Sequence, residues 1–341
     1  MAKAPRLNAI TLLLALGLAC APAAPASNPT AAAPAPVQAA IASPAAAQPA
    51  QLKPIKVGIA TAALSYLLQR IAEVKGFYRE AGFDAELVII IQQGPVALAS
   101  LAAGELQFAH FAGSGARAAA TGLPVRVVAC PGVKPFYRIV LAPGVKSLRE
   151  VEGRPFSVAT LGTTPHLIGR DILKKHGVDT DKVEFLAGGD AAVRYAGLQS
   201  GQIAGGVVSI PEAIRAAKDG LTVASTADDL PAFCDGGLVV AVDTIANNRA
   251  DVTRYITVMN KAVEFLQANP DESARILGEW AELDPEVAAE TIRLGQISSS
   301  FSTDKRLAQD ALENVLKQAI ETGGLKEEVP LSAVADLSMY P

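Results

Sequence analysis

The sequence predicts an α/β protein of two similar lobes, each a mainly parallel sheet flanked by helices, joined by two crossing segments. Three observations predict it. Short β-branched runs alternate with stretches of helical spacing, the pattern of parallel strands covered on both faces. The alternation occurs twice with matching order and spacing, so the chain holds a diverged repeat of two units. The part that can fold, from Lys53 to the end of the 341-residue sequence, is long enough for two domains of ordinary size.

Residues 1–19 read as a signal peptide. Lys3 and Arg6 give a positive start, and residues 10–19 form an apolar stretch suited to a signal core but too short to span a bilayer. Leu18-Ala19-Cys20 resembles a lipoprotein cleavage box with Cys20 as the lipidated first residue. The match departs from the box at Gly17, where Leu is preferred. The alternative is an ordinary signal cut after Ala23 or Ala26. Residues 20–52 carry a single charge-free tract rich in Ala and Pro from residue 21 on. Scattered Pro blocks helix formation and nothing there can pack a core. This is a tether, reaching on the order of 100 Å if extended at ~3 Å per residue. Loss of the leader removes Lys3 and Arg6 and no acid, taking the net charge from −4 to −6.

The first copy begins with a strand at 55–61 (IKVGIAT), a helix at 64–81 stopped by Gly82, and a strand at 85–91 (AELVIII). The second has a strand at 156–160 (FSVAT), a helix at 167–176 stopped by Gly177, and a strand at 182–186 (KVEFL). Residues 101–106 (LAAGEL) resemble 198–203 (LQSGQI): in both a helix ends at a Gly and a short strand begins. Residues 117–128 then parallel 215–224. The runs 136–142 (FYRIVLA) and 237–242 (GLVVAV) are expected to cross between lobes, giving one lobe at 53–140, a second at 141–236, and a return at 237–341. The return is helical, at 252–269, 271–281, 284–297 and 305–323, punctuated by Asn269-Pro270 and Asp284-Pro285.

Mild acidity argues against nucleic acid, which needs clustered Lys and Arg. Three Cys and three His are too few and scattered for a metal site, and no cofactor is expected. Ligands of open α/β sheets sit at the carboxyl ends of strands. In the first lobe those positions hold Thr61, Ser65, Gln92, Phe111 and Ser114. In the second they hold Thr160, Thr163, Thr164, His166, Asp190 and Ser209. Gly162-Thr163-Thr164-Pro165 opens a helix, whose free N–H groups and positive end suit an anion; the plainer role of either Thr is a helix cap. Ser114 can contact ligand or cap. Asp190 is placed to cap the next helix or to face the cleft. His166 lies just inside its helix, and His110 sits in a strand and is expected to be packed there. Cys130 and Cys234 each precede a crossing segment, where a pair can bridge in an oxidising compartment or remain two buried thiols. No nucleophile elbow or phosphate loop is present.

Several segments together resemble a known family: residues 75–82 (KGFYREAG), 101–106 (LAAGEL), 145–153 (VKSLREVEG), 198–203 (LQSGQI) and Ser209-Ile210-Pro211. Their order and spacing over residues 53–340 are similar to periplasmic substrate-binding proteins of ABC importers, in the branch for nitrate, sulfonates, taurine and thiamine precursors. The resemblance implies a bilobed periplasmic-binding-protein fold of the type II kind that closes on a small solute and delivers it to a membrane permease. It also implies solute contacts from Thr61, Ser65, Ser114, Thr163 and Thr164. The His/Cys-rich iron segment of the yeast pyrimidine-synthesis relatives has no counterpart here. The expectation is therefore a monomeric, lipid-anchored, non-catalytic binding protein, periplasmic or at the cell surface, for a small anionic organic solute. The alternatives are a small lyase-type enzyme on the same scaffold, using His110 or His166, and a ligand-binding sensor.

Overall fold

The computed structural model describes residues 51–90, 94–189, 191–226, 229, 231–297 and 299–340. Cys20, Gln92 and Asp190 lie outside them, as do the leader and most of the tether.

The first lobe starts with β1 (Lys53–Ile59), α1 (Leu67–Val74), α2 (Phe77–Glu80) and β2 (Phe83–Ile89). It continues with α3 (Gly94–Ala102), β3 (Phe108–Ala109), α4 (Ala112–Ala120) and β4 (Val125–Ala129). The single helix expected over 64–81 is a 3-10 turn at Leu64–Tyr66 followed by two α-helices. The break falls at Gly76, whose φ of 76° is open to glycine and strained for other residues. Leu67, Leu68, Ile71 and Ala72 bury the inner face of α1; their i, i+1, i+4, i+5 spacing makes one apolar stripe.

The second lobe holds β5 (Tyr137–Leu141), β6 (Pro155–Val158), α5 (Thr164–Lys175) and β7 (Glu184–Ala187). Then come α6 (Ala191–Gln199), β8 (Gly205–Ser209), α7 (Ile210–Lys218) and β9 (Thr222–Val223). The chain returns through β10 (Leu238–Ala241) and ends in helices α8 (Val242–Ala268), α9 (Pro270–Ala281), α10 (Pro285–Ile297), α11 (Lys305–Glu321) and α12 (Leu331–Val334). The run expected to begin at 252 is the second part of α8, which is interrupted at Asn248 by non-helical backbone.

The strands form two five-stranded sheets, ordered β2-β1-β3-β10-β4 and β7-β6-β8-β5-β9. The orders superimpose element for element, which is the repeat seen as topology. Val57 pairs with Leu87 on one side and Phe108 on the other, both parallel. β10 runs antiparallel to β3 and β4, and β5 antiparallel to β8 and β9. Each sheet is thus mainly parallel with one reversed strand.

This topology moves the crossings. The run 136–142 is not a connector: its strand β5 lies inside the second sheet, so the chain crosses earlier, over 130–136. An apolar run buried on both faces needs a partner at each edge, and β8 and β9 supply them. Likewise 237–242 contains β10, between β3 and β4, and the chain returns ahead of it, between β9 and β10. The two crossings touch. Asp235 N–H donates to the Gly132 carbonyl at 2.9 Å and Phe233 N–H to the Val133 carbonyl at 3.0 Å. A Cys130–Cys234 disulfide, with Cα atoms 5.6 Å apart, ties them. Residues 300–302 add a third strip, with Val133 N–H donating to the Ser300 carbonyl at 2.8 Å and Ser302 N–H to the Pro131 carbonyl at 2.9 Å.

The C-terminal helices contact both lobes. α11 packs on α4 of the first lobe and α10 on α7 of the second. Gln318 donates to Asp171 on α5, and Lys174 pairs with Glu321 at 3.3 Å. Among the described residues no helix is long and apolar enough to cross a membrane.

Candidate functional site

A cavity of about 550 Å³ opens between the lobes, where the parallel strands of both sheets end. Ala60 and Thr61 follow β1, Ile89 ends β2, Phe111 follows β3, Ala159 follows β6 and Ser209 ends β8; all of them line it. The reversed strands add residues from their beginnings: Tyr137 opens β5, and Asp235 lies just ahead of β10. The edge where parallel strands finish is the edge where a reversed strand starts.

Four helices of nine or more residues also begin at this cavity. Gly94 opens α3, Phe111 is the N-cap of α4, Thr163 of α5 and Ser209 of α7. Their free N–H groups place partial positive charge around the cavity from both lobes. The starts of α3 and α4 are in close contact: any side chain at Gly94 would run into the Ser114 hydroxyl. The lobes approach each other here too, since a methyl added at Gly113 would lie 3.5 Å from the Thr164 hydroxyl.

The two threonines differ. Thr163 Oγ1 donates to the Thr160 carbonyl at 2.7 Å, closing its own turn. Among the described residues the Thr164 hydroxyl makes no hydrogen bond, and Thr164 lines the cavity. Ser65 Oγ donates to Asp235 Oδ2 at 3.1 Å.

Among the described residues the charged groups of the lining are Arg194, Glu212 and Asp235. Arg194 is only 8% exposed. Its Nη1 donates to the Gly189 carbonyl at 2.6 Å, and its Nη2 lies 3.8 Å from Glu212. Glu212 in turn accepts from the Ser209 N–H at 2.6 Å, as a residue at the third helical position does. Asp235, also 8% exposed, has no ion-pair partner among the described residues. Burial pushes its carboxyl up to about 6, although Ser65 and the N–H groups of Phe136 and Gly236 hold the charged form. Tyr66 and Tyr137 complete the wall, and burial raises both phenols, the Asp235 charge adding to it. Tyr66 and Phe111 lie with ring centroids 6.3 Å apart.

The structure brings together seven residues expected from the sequence: Thr61, Ser65, Phe111, Ser114, Thr163, Thr164 and Ser209. It leaves two elsewhere. Thr160 is exposed and turns its carbonyl to Thr163. His166 accepts from the Gly162 N–H at 2.9 Å through Nδ1 and sets its ring edge-on to Phe185, 4.8 Å between centroids. It shapes the loop before α5 and does not line the cavity. Gln92 and Asp190 lie outside the described residues. Sequence reasoning missed Tyr66, Tyr137, Arg194, Glu212 and Asp235.

His110 is fully buried behind the site, as its strand position suggested. Its Nδ1 donates to the Gly236 carbonyl at 2.8 Å, which can only accept, so Nε2 accepts from Tyr255 at 2.8 Å. Burial lowers its pKa to about 4, and the ring is neutral at physiological pH.

Comparison with known proteins places this arrangement. A relative from Brucella abortus (strain 2308), provisionally named a binding protein, is 26% identical over 235 residues, 68% of this chain and 72% of the relative. The periplasmic aliphatic sulphonate binding protein SsuA from Escherichia coli superposes with a TM-score of 0.65 at 15% identity, covering 83% of this chain and 92% of that one. The periplasmic nitrate-binding protein NrtA from Synechocystis PCC 6803 gives 0.68 at 15% identity, covering 85% and 88%. The chain therefore shares the fold of these periplasmic binding proteins. The sequence profile of one family, described as NMT1/THI5 like, matches residues 69–273, more than half of the sequence, and the chain belongs to that family.

Proposed function

We propose that this protein is the extracytoplasmic solute-binding component of an ABC importer. It captures a small organic acid, a sulfonate or carboxylate, between its lobes and passes it to a membrane permease. One observation carries the reading: hydroxyls and helix starts from both lobes line a single cavity. A solute held there contacts both lobes at once and so favours the closed arrangement over the open one. The protein is exported by residues 1–19, anchored at the membrane surface through a lipidated Cys20, and acts as a monomer without catalysis. His110 supports no acid/base role, because it is enclosed and spent on Gly236 and Tyr255. His166 is occupied by Gly162.

Isothermal titration against inorganic anions, alkanesulfonates and carboxylic acids tests the reading; no heat from any of them sinks it. Thr164 gives the sharper check. Its hydroxyl has no hydrogen-bond partner among the described residues, so Thr164→Val removes a hydrogen bond to the acid group and weakens binding by about tenfold, the scale of one bond to a charged partner. Thr163→Val, whose hydroxyl serves the Thr160 carbonyl, changes affinity less. Equal loss in both variants contradicts the assignment.

A further inference from the structure

The cavity read above as the seat of an acid has a carboxylate in its own wall. Asp235 lies in the return crossing and is buried. The Ser65 hydroxyl of the first lobe, the Phe136 N–H of the other crossing and the Gly236 N–H donate to it, so it is fixed where the lobes meet. These donors are all neutral. A space of about 550 Å³ is roughly 10 Å across, so a solute charge anywhere in it lies within about one Debye length of Asp235. Two negative charges enclosed together favour protonation of one of them. A sulfonate stays ionised, so the proton goes to the aspartate. The pair alone sets this direction. Arg194, Glu212 and the other charges of the wall are present with the cavity empty or filled; they change the size of the coupling and not its sign.

Resting on the acid-binding reading above, the geometry points to proton-coupled capture: the acid enters the cavity together with a proton, and Asp235 carries that proton. Solute is then gripped more tightly in acidic surroundings than in basic ones. With the cavity empty, burial sets the carboxyl at about 6. At roughly 8–10 Å and an effective dielectric constant of ~20–30, the solute charge raises it by about one unit more, which is about tenfold in affinity. A proton held more tightly in the filled state makes binding strongest below the empty-state value. That gain is lost as pH rises through the filled-state value, so it is nearly complete at pH 5 and gone by pH 8.

The other titratable and charged groups around Asp235 are Tyr66, Tyr137, Arg194 and Glu212 in the wall, Lys134 in the facing crossing, His110 on β3 and Arg117 on α4. Burial keeps both phenols protonated and His110 neutral over this range. Glu212 is the other carboxylate of the wall, and substitution separates it from Asp235.

The probe is the tightest binder among straight-chain alkanesulfonates of one to six carbons, or the matching carboxylate where no sulfonate binds. Calorimetry at pH 6.5 in two buffers of different ionisation heat reads the uptake of about half a proton per solute, and affinity falls about fivefold or more from pH 5 to pH 8. Asp235→Asn removes the charge. The variant takes up no proton, holds one affinity across the range, and at pH 8 binds about threefold or more tighter than the unaltered protein, a gain that a damaged site does not give. Ser65→Ala withdraws one donor from the charged form, moves the uptake to higher pH, and serves if the Asn variant does not fold. Binding without proton uptake in the unaltered protein overturns the inference and leaves the acid-binding reading standing. Uptake that persists in Asp235→Asn, or a profile unmoved by Ser65→Ala, overturns the role of Asp235. If no sulfonate, carboxylate or inorganic anion binds, the acid-binding reading falls and this inference with it.

Discussion

Replacing both Cys130 and Cys234 by Ser is expected to lower the free energy of unfolding by about 4–5 kcal/mol. The bond closes a loop with a sequence separation of 104 residues. In the chain-entropy account, a cross-link across ~100 residues removes that much freedom from the unfolded chain. The folded state itself changes little. The crossings are already joined by the Asp235–Gly132 and Phe233–Val133 backbone hydrogen bonds, so the serines find the two segments where the sulfurs had them. Urea unfolding of the oxidised protein and the double variant, fitted with a common slope, measures the difference. A loss below about 1 kcal/mol shows that the crossings are equally restrained in the unfolded chain and refutes the account.

The second large effect is a dependence on pH from two groups on either side of Gly236. Asp235 has its carboxyl raised from the usual 3.8 to about 6. A raised acid holds its proton longer when folded, so its contribution is fully present below pH 4 and is lost as pH rises to about 6. At roughly 1.4 kcal/mol per pH unit, the loss is about 3 kcal/mol. His110 acts in the opposite sense. Its pKa falls from 6.5 to about 4, so its contribution is full above pH 6.5 and is lost as pH falls towards 4, again by about 3 kcal/mol. The two slopes oppose each other in the unaltered protein, whose stability is then nearly level over pH 4–6.5 on their account. The titratable and charged groups that share the cavity wall with Asp235, namely Tyr66, Tyr137, Glu212 and Arg194, and the Ser65, Phe136 and Gly236 donors that reach it are common to protein and variant. The informative quantity is therefore the difference between Asp235→Asn and the original at each pH. It grows in favour of the Asn variant by about 3 kcal/mol between pH 4 and 6 and is constant above. A difference that does not vary with pH shows that Asp235 is ionised as easily folded as unfolded.

Much of this molecule is legible in its sequence because repetition and burial both leave marks in the order of residues. The strands beginning with IKVGIAT and FSVAT, the Gly stops at 82 and 177, and the matching LAAGEL and LQSGQI segments locate equivalent places in both sheets. The site is legible where it follows parallel strands, which is why Thr61, Phe111, Thr163 and Ser209 are found. It is illegible where the strand runs the other way. Tyr137 and Asp235 come from β5 and β10, and a run such as FYRIVLA carries no sign of its direction; only its neighbours in the sheet decide it. Arg194 and Glu212 are hidden for another reason. Each stands in a helix, where a charged side chain normally faces solvent, and only tertiary packing turns them inward. His166 shows the opposite error. A histidine just inside a helix that opens on a Gly-Thr-Thr-Pro turn invites a functional role, but its nitrogen is satisfied four residues back by Gly162.

The placing of β10 between β3 and β4 has a consequence for how the polypeptide is made. A chain delivered from its amino end presents β4 more than a hundred residues before the strand that must lie against it, while every strand of the second sheet is contiguous from 137 to 223. The later half of the repeat can finish while the earlier half stands ajar, its central slot vacant. Maturation of this molecule therefore runs against the order of synthesis, and a truncated or stalled product ending before Leu238 carries one completed sheet and one that has no means of completion.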